Sequence, residues 1–352
     1  MTTFIQLHFL TAYAPSNLNR DDSGRPKTAK MGGVERLRVS SQSLKRAWRV
    51  SETFESAMDG HIGKRTRLLG VEYVYQPMIS AGVSPKTAKA AAEKIAGQFG
   101  KLKSDKGADA VKNLEIEQLV HVSTHEIALI KQLVDTLISE NREPVDEELK
   151  LLRKEQHSVD MALFGRMLAS SPAFNVEAAC QVAHALGVSA VTVEDDFFTA
   201  VDDLNAGDED KGSAHMGEQG FASALFYSYI CISRDLLLKN LGGDEDLTRR
   251  AIAALTETAL TVSPGGKQNS FASRAYASYA LAEAGTKQPR SLAVAFFQPV
   301  RGENLLPMAI ERLKHQRDNF DRVYGQCADR HYELNADKGE GSLSALLEFV
   351  SQ

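Results

Sequence analysis

Between two regions whose apolar residues alternate like strands lies a long stretch, from about Glu52 to Gly187, whose apolar spacing is helical. That interruption narrows the architecture to an α+β domain carrying a helical insertion. Ahead of it, FIQLHFLTAY sets Ile5, Leu7 and Phe9 against polar or smaller neighbours, the period of a half-buried strand, and VERLRVSS reads as a second strand. Within it, SPKTAKAAAEKIAGQFG has a Ser-Pro start, an alanine-rich body and a glycine stop. EIEQLVHVSTHEIALIKQLVDTLISE and PVDEELKLLRKEQ continue the helical signal. After it, SAVTVEDDFFTAVDDL and FASALFYSYICIS flank a stretch rich in Gly, Asp and Ser, which predicts a long β-hairpin with a mobile tip near Asn205 to Ser213. A helix over DLTRRAIAALTETALTV, the loop SPGGKQNS, the apolar stretches AYASYALAEA and SLAVAFF, and a helix from Leu306 to Tyr324 follow. NADKGEGS reads as a linker before a short terminal helix.

The 352 residues, 43% of them hydrophobic, are enough to bury a sizeable core. No apolar run reaches the roughly 18 residues that cross a bilayer. The first residues carry neither a basic leader nor a small-residue cleavage site, so a cytoplasmic protein is expected. Cys180, Cys231 and Cys327 are few, odd in number and far apart, which predicts reduced, structural thiols. The net charge of −5 is unevenly placed: up to Lys103 there are 17 Lys and Arg against 8 Asp and Glu, and beyond it 24 against 38. A basic surface that meets a polyanion would explain the asymmetry, and so would ordinary solvated helix faces; composition does not choose between them.

The segment RVSSQSLKRAW sharpens the question. Ser40 or Ser41 is a helix N-cap, with Leu44, Ala47 and Trp48 as the buried stripe. Lys45, Arg46 and Arg49 then fall in the first turns, where the macrodipole disfavours cations. Ser41, Lys45 and Arg49 share one face, with Gln42 beside Arg46. A phosphate bound at the helix start would reverse the penalty, and a row of phosphates points to nucleic acid. Pairing with Glu35, Glu52 or Glu55 is the alternative. The loop APSNLNRDDSGRPKTAKMGG before this segment is too long for a tight connector and is expected to carry function.

Signals for catalysis are weak. Asp21-Asp22 and Asp202-Asp203 are paired carboxylates of the kind that hold a divalent metal, but loop acids are more often turn formers. His121 and His125, four apart on an expected helix, offer two zinc ligands and no third. No P-loop, dinucleotide fingerprint or GxSxG is present, so no cofactor, resident metal or enzymatic activity is expected. Phe197 and Phe198 fall on opposite faces of one strand, which leaves one of them less buried.

Five motifs in order, LNRDD (Leu18–Asp22), RVSSQSLKRA (Arg38–Ala47), VDMALFGRM (Val159–Met167), FFTAVDDL followed by GSAHMG, and SPGGKQ (Ser263–Gln268), resemble the CasC family, the backbone subunits of the type I-E CRISPR Cascade complex. The resemblance covers most of the chain and is poor between about Glu52 and Gln156 and in the C-terminal quarter. It implies an RRM-like (ferredoxin-like) palm from 1–53, 181–192 and 223–352, helical fingers at 54–180 and a β-hairpin thumb at 193–222. The aromatic RNP pattern is missing, so stacking on the palm sheet is not expected. The family's role implies a non-catalytic scaffold that polymerises along the CRISPR guide RNA and presents it for pairing with target DNA. Its partners would be further copies of itself and other Cascade subunits, with acidic surface of one copy set against basic surface of the next. Carried over by motif, Arg20, Lys27, Ser40, Gln42, Lys45, Arg46 and Arg49 would hold RNA phosphates. Arg166 and Met167 would meet the RNA from the fingers, Phe198 and Thr199 from the thumb, and Lys267 and Gln268 from the glycine loop. Backbone subunits of other CRISPR classes cut RNA with a loop aspartate, which makes a metal-dependent ribonuclease using Asp21 or Asp22 the competing expectation.

Overall fold

The computed structural model describes residues 2–104, 111–154, 157–200 and 215–352. Asp202, Asp203 and the expected mobile tip from Asn205 to Ser213 lie outside the described residues. The chain divides into two compact units, 1–54 with 182–231 and 252–352, and 55–181 with 232–251. The sequence reading gave 232–251 to the palm, whereas contacts group it with the helical residues.

The first unit is built on one sheet. Among the described residues its strands are β1 (Phe4–Ser16), β2 (Thr28–Met31), β3 (Val34–Val39), β4 (Ala185–Gly187), β5 (Glu194–Ala200), β6 (His215–Ser233), β7 (Tyr279–Gly285), β8 (Arg330–Asn335) and a short ninth strand, Cys180–Val182, that pairs with β6. The order is β8-β7-β1-β6-β4-β3-β2, and β5 pairs with β6 off that path. Every pairing with a described register is antiparallel, from Phe4↔Gly285 to Leu10↔Tyr279 between β1 and β7, and from Tyr279↔Asn335 to Ala284↔Arg330 between β7 and β8. Among the helices in this unit's chain segments are α1 (Ser41–Arg49), α2 (Leu305–Tyr324) and α3 (Leu343–Ser351).

Strand β1 differs from the half-buried strand its alternation predicts. Ile5, Leu7 and Phe9 are buried, but so are Gln6, His8 and Leu10 on the other face. A central strand has neighbours on both edges, and here Leu10, Leu225, Tyr227, Tyr279 and Leu281 pack with Ile310 and Leu313 of α2. The polar residues survive on that face because each has partners. Gln6 Oε1 accepts from Tyr229 Oη at 2.8 Å and from the Arg290 amide at 2.9 Å; His8 Nδ1 lies 2.9 Å from Tyr227 Oη and Nε2 lies 3.3 Å from Glu283. Strand β8, RHYELN at the sheet edge, was unforeseen: its alternation is short, with Tyr332 and Leu334 as the apolar positions. SLAVAFF, apolar as a strand would be, contains a short 3-10 turn, Ala293–Phe296. Arg36, fully buried, donates to Gly187 O at 3.0 Å and Phe296 O at 3.2 Å, tying β3 to β4 and to that turn.

In the second unit the expected helices form where the caps are strong. Ser84 caps Pro85–Gly97 from outside the proline, and the alanines of that helix bury against Val71, Val74 and Met78. Ser123 and Glu126 form a reciprocal capping box at the start of Thr124–Glu140. The helix therefore starts nine residues later than the apolar pattern, and Val120–Val122 before it is a strand paired with Lys64–Thr66. PVDEELKLLRKEQ, expected as a helix, holds a 3-10 turn, Asp146–Leu149. Cys180, Cys231 and Cys327 are free and buried. Among the described residues no helix is long and apolar enough to cross a membrane.

Candidate nucleic-acid interface

The loop between β1 and β2 organises the site. Asn17, fully buried, donates through Nδ2 to Gly24 O at 3.0 Å and to Gly220 O of β6 at 2.9 Å, which closes the loop and seats it on the sheet. Asp21 Oδ1 accepts from the Ser23 amide, the Ser23 hydroxyl and the Arg25 amide at 2.9, 2.7 and 3.1 Å. These bonds, the Ser23 hydroxyl first among them, hold the Asp21 carboxyl below the ordinary aspartate range. The carboxylate is engaged in shaping its own turn. The Lys27 amide donates to Asn19 O at 2.8 Å, so the segment expected as an extended functional loop is a closed hairpin that presents Arg20 and Lys27 at fixed places.

Helix α1 starts where β3 ends. Ser40 caps it, Oγ accepting from the Ser43 amide at 3.3 Å, and the Ser40 amide donates to Asn19 Oδ1 at 2.9 Å, which joins the helix start to the loop. The serine hydroxyl expected to hold phosphate is thus the cap itself. The helix is nine residues long, so Arg46 and Arg49 lie in its last turn, where the dipole favours them. The expected conflict between cations and helix start is therefore limited to Lys45. The exposed edge is Gln42 and Arg46; Ser41 is buried and Arg49 is only 8% exposed, so the stripe Ser41-Lys45-Arg49 does not face solvent as a unit. Among the described residues Arg20, Lys27, Arg46 and Lys267 form no ion pair.

The β5–β6 ladder runs in register from Glu194↔Phe221 to Ala200↔His215. Phe197 is 61% exposed and Phe198 41%, so both aromatic residues face outward in part, more than the alternation alone predicts. The Phe198 ring lies over Gly217, its partner in the ladder, where a side chain would collide with it. Thr199 is exposed beside it. At the foot of this ladder Arg20, Phe198 and Lys267 line one cleft of about 330 Å³ together with Asp195 and Glu218. Arg25, also on its wall, pairs with Asp195 at 2.7 Å. The glycine loop reaches this cleft because Gly266 presses against the backbone of Leu18, and Lys267 follows in a left-handed conformation (φ 50°). Gln268 donates through Nε2 to Pro264 O at 2.8 Å and Ser273 O at 3.0 Å, so its amide shapes its own loop.

Arg166 and Met167 lie in the helical unit. The Arg166 guanidinium is fully buried, bound to both oxygens of Glu126 at 2.9 and 2.8 Å and to Phe174 O at 3.1 Å. It offers no face to an outside phosphate, which revises the contact expected of it; it fixes the segment that leaves Met167 82% exposed. His121 sits in a strand and His125 in the following helix, so the expected helical pair does not exist. His121 Nε2 instead lies 2.9 Å from the buried Asp160 carboxylate. Among the described residues no three His, Cys, Asp or Glu side chains converge on a metal position.

Two residues without a role in the sequence reading complete the helix start. Arg38 Nη1 lies 3.2 Å from His184 Nδ1, and the Ser41 amide donates to the same nitrogen at 3.3 Å. Burial, then Arg38, Lys27 and Lys45, lower the His184 pKa from the ordinary histidine value. Arg38 lay inside a noted motif; His184 is too distant in sequence for any spacing to reveal it. The arrangement can hold a chain of anions along the α1 start, the loop and the hairpin foot, by charge and backbone contact.

Residues 5–347 match the family described as CT1975-like protein. A chain of a solved "CRISPR RNA-guided surveillance complex, pre-nicking" is 29% identical, covers 99% of both chains and superposes with a TM-score of 0.86. A chain of another solved "CRISPR RNA-guided surveillance complex", 24% identical with the same coverage and a TM-score of 0.75, shares the fold. No curated relative matches.

Proposed function

The chain belongs to the CT1975-like protein family, and on that basis and the site geometry we propose that it is a non-catalytic RNA-binding scaffold of the CasC type. It polymerises along a CRISPR guide RNA, grips the backbone and presents the bases for pairing with target DNA in antiviral defence. Its other partners are further copies of itself and the remaining subunits of a Cascade complex. On this reading the sheet is an RRM-like palm, the helical unit the fingers and the β5–β6 ladder the thumb.

The observation that supports it best is the Asn17–Lys27 loop. Three contacts fasten it to the α1 start, to β6 and to the glycine loop, through Ser40, Gly220 and Gly266, so that cations from separate parts of the sequence surround one short segment. Phosphates identify no base, so such a grip suits a guide of any sequence, and base pairing does the reading. Asp21 and Asp22 stand for the competing ribonuclease reading; Asp21 is engaged in its turn and supports the scaffold reading better.

The test is purification with the neighbouring subunits followed by extraction and sizing of bound RNA. A discrete short RNA, retained at low salt and lost in the Lys45→Ala, Arg46→Ala double variant, is expected. RNA cleaved in magnesium and spared in Asp21→Ala or Asp22→Ala would replace the scaffold with a nuclease, and absence of RNA in every preparation would refute both.

A further inference from the structure

His184 has one ring nitrogen facing two donors. The Arg38 guanidinium has N–H donors and no acceptor, and the Ser41 amide is one of the donors a helix start leaves without an intrahelical acceptor. Both converge on Nδ1, at 3.2 and 3.3 Å, so that nitrogen accepts and carries no hydrogen. The hydrogen of the neutral ring is therefore on Nε2, and the residue is exposed at its place ahead of β4. Burial first, then nearby cations, Arg38 from β3, Lys27 from the loop and Lys45 from α1, make a positive charge on the ring unfavourable. A neutral donor among three cations is suited to one oxygen of an anion that those cations attract.

We propose that His184 contacts the RNA backbone directly, as a neutral imidazole whose Nε2–H donates to a phosphate oxygen lying beside Lys27, Arg38 and Lys45 at the start of α1. This rests on the RNA-holding reading above and adds a contact to it. The imidazole orients the phosphate, while the cations supply the charge.

A neutral contact and a charged one leave different marks on salt dependence. Each cation that neutralises a phosphate contributes about 0.7 to the slope of log K against log salt for a single strand, whereas a neutral donor contributes affinity without slope. Titration of the full chain with a short single-stranded RNA is expected to show His184→Ala weaker by about 10-fold with the slope unchanged, and His184→Gln close to the parent, because glutamine keeps an acceptor and a donor. Long-range proton–nitrogen spectra report the contact itself: the free protein is expected to carry hydrogen on Nε2, and RNA to shift that resonance. Unchanged affinity in His184→Ala alongside a loss in Lys45→Ala would overturn the contact and leave the RNA-holding reading standing. A resonance that RNA does not move, or a slope reduced as much as in Lys45→Ala, would also overturn it. Indifference of both Lys45→Ala and His184→Ala would remove the RNA-holding reading itself.

Discussion

Gly265 and Gly266 are adjacent and should respond in opposite ways to alanine. A Cβ on Gly266 would stand 2.2 Å from the Leu18 carbonyl oxygen and 2.7 Å from that of Asn17, both backbone atoms in a loop held by the buried Asn17 side chain. Ordinary contact lies at 3.4–4 Å, so the two loops would have to part by more than ~1 Å; overpacking of this kind costs about 1–3 kcal/mol. A Cβ on Gly265 meets nothing within 4 Å. Gly265→Ala should be neutral or more stable by a few tenths of a kcal/mol, through the loss of unfolded-state freedom. Chemical denaturation of the two variants reads the stability difference. RNA titration reads its consequence, since the same displacement carries Lys267 away from the cleft it shares with Arg20 and Phe198. Equal stabilities and equal RNA affinities for the two variants would refute the claim that the glycine loop is seated on the Asn17–Lys27 loop.

Replacing Lys45 and Arg46 together by alanine should lower the salt slope of RNA binding by about 1.4, at 0.7 per lost phosphate contact, as measured by titration over a salt series. Glu283 makes stability depend on acid: burial alone would raise its carboxyl pKa, but His8 and Arg290 outweigh burial and hold it at about 2, against an ordinary 4.5. The folded pKa is the lower one, so this contribution, on the order of 3 kcal/mol, is full above pH 4.5 and is lost as the pH falls toward 2; Glu283→Gln should flatten that part of the unfolding profile. Arg166→Met leaves the buried Glu126 carboxylate without its charged partner, with the Ser123 and Arg153 amides still donating to it, and should destabilise by about 3–5 kcal/mol, whereas Met167→Ala, at an exposed position, should leave thermal unfolding unchanged. Asp21→Ala removes three acceptor bonds from an exposed turn and should weaken RNA binding through Arg20 while leaving any RNA chemistry as it was; a nuclease activity lost with it would contradict the structural role given to this carboxylate.

Local signals determined the elements whose ends are chemically marked. Ser84-Pro85 starts its helix as written; of the two N-caps expected, Ser40 and Ser41, the cap is Ser40; of the expected stripe Leu44 and Trp48 are buried and Ala47 half-buried; and the helix expected from Leu306 begins one residue earlier. The pairing of β5 with β6 followed from two strand-like runs around a polar stretch. Where the period continued across a boundary, the sequence misled: Val120–Val122 shares the apolar spacing of the helix after it, and only the capping box at Ser123 and Glu126 separates the two. The cations near residue 45 were visible too, but their energetic meaning depended on helix length, which propensity does not fix.

Tertiary structure alone decided which polar groups face outward and which hold the fold. Arg49 and Arg166 read the same in sequence as Arg46, yet the first is nearly covered and the second is enclosed by Glu126, because an arginine's surroundings come from chain segments far from it. The convergence of Arg20, Phe198 and Lys267 likewise depends on Asn17 reaching Gly220 and on Gly266 touching Leu18. Residue order thus fixed the local elements and the supply of charge, whose causes lie within a few positions of each residue. The sheet fixed the site, because only its register brings residues some two hundred positions apart within hydrogen-bonding distance.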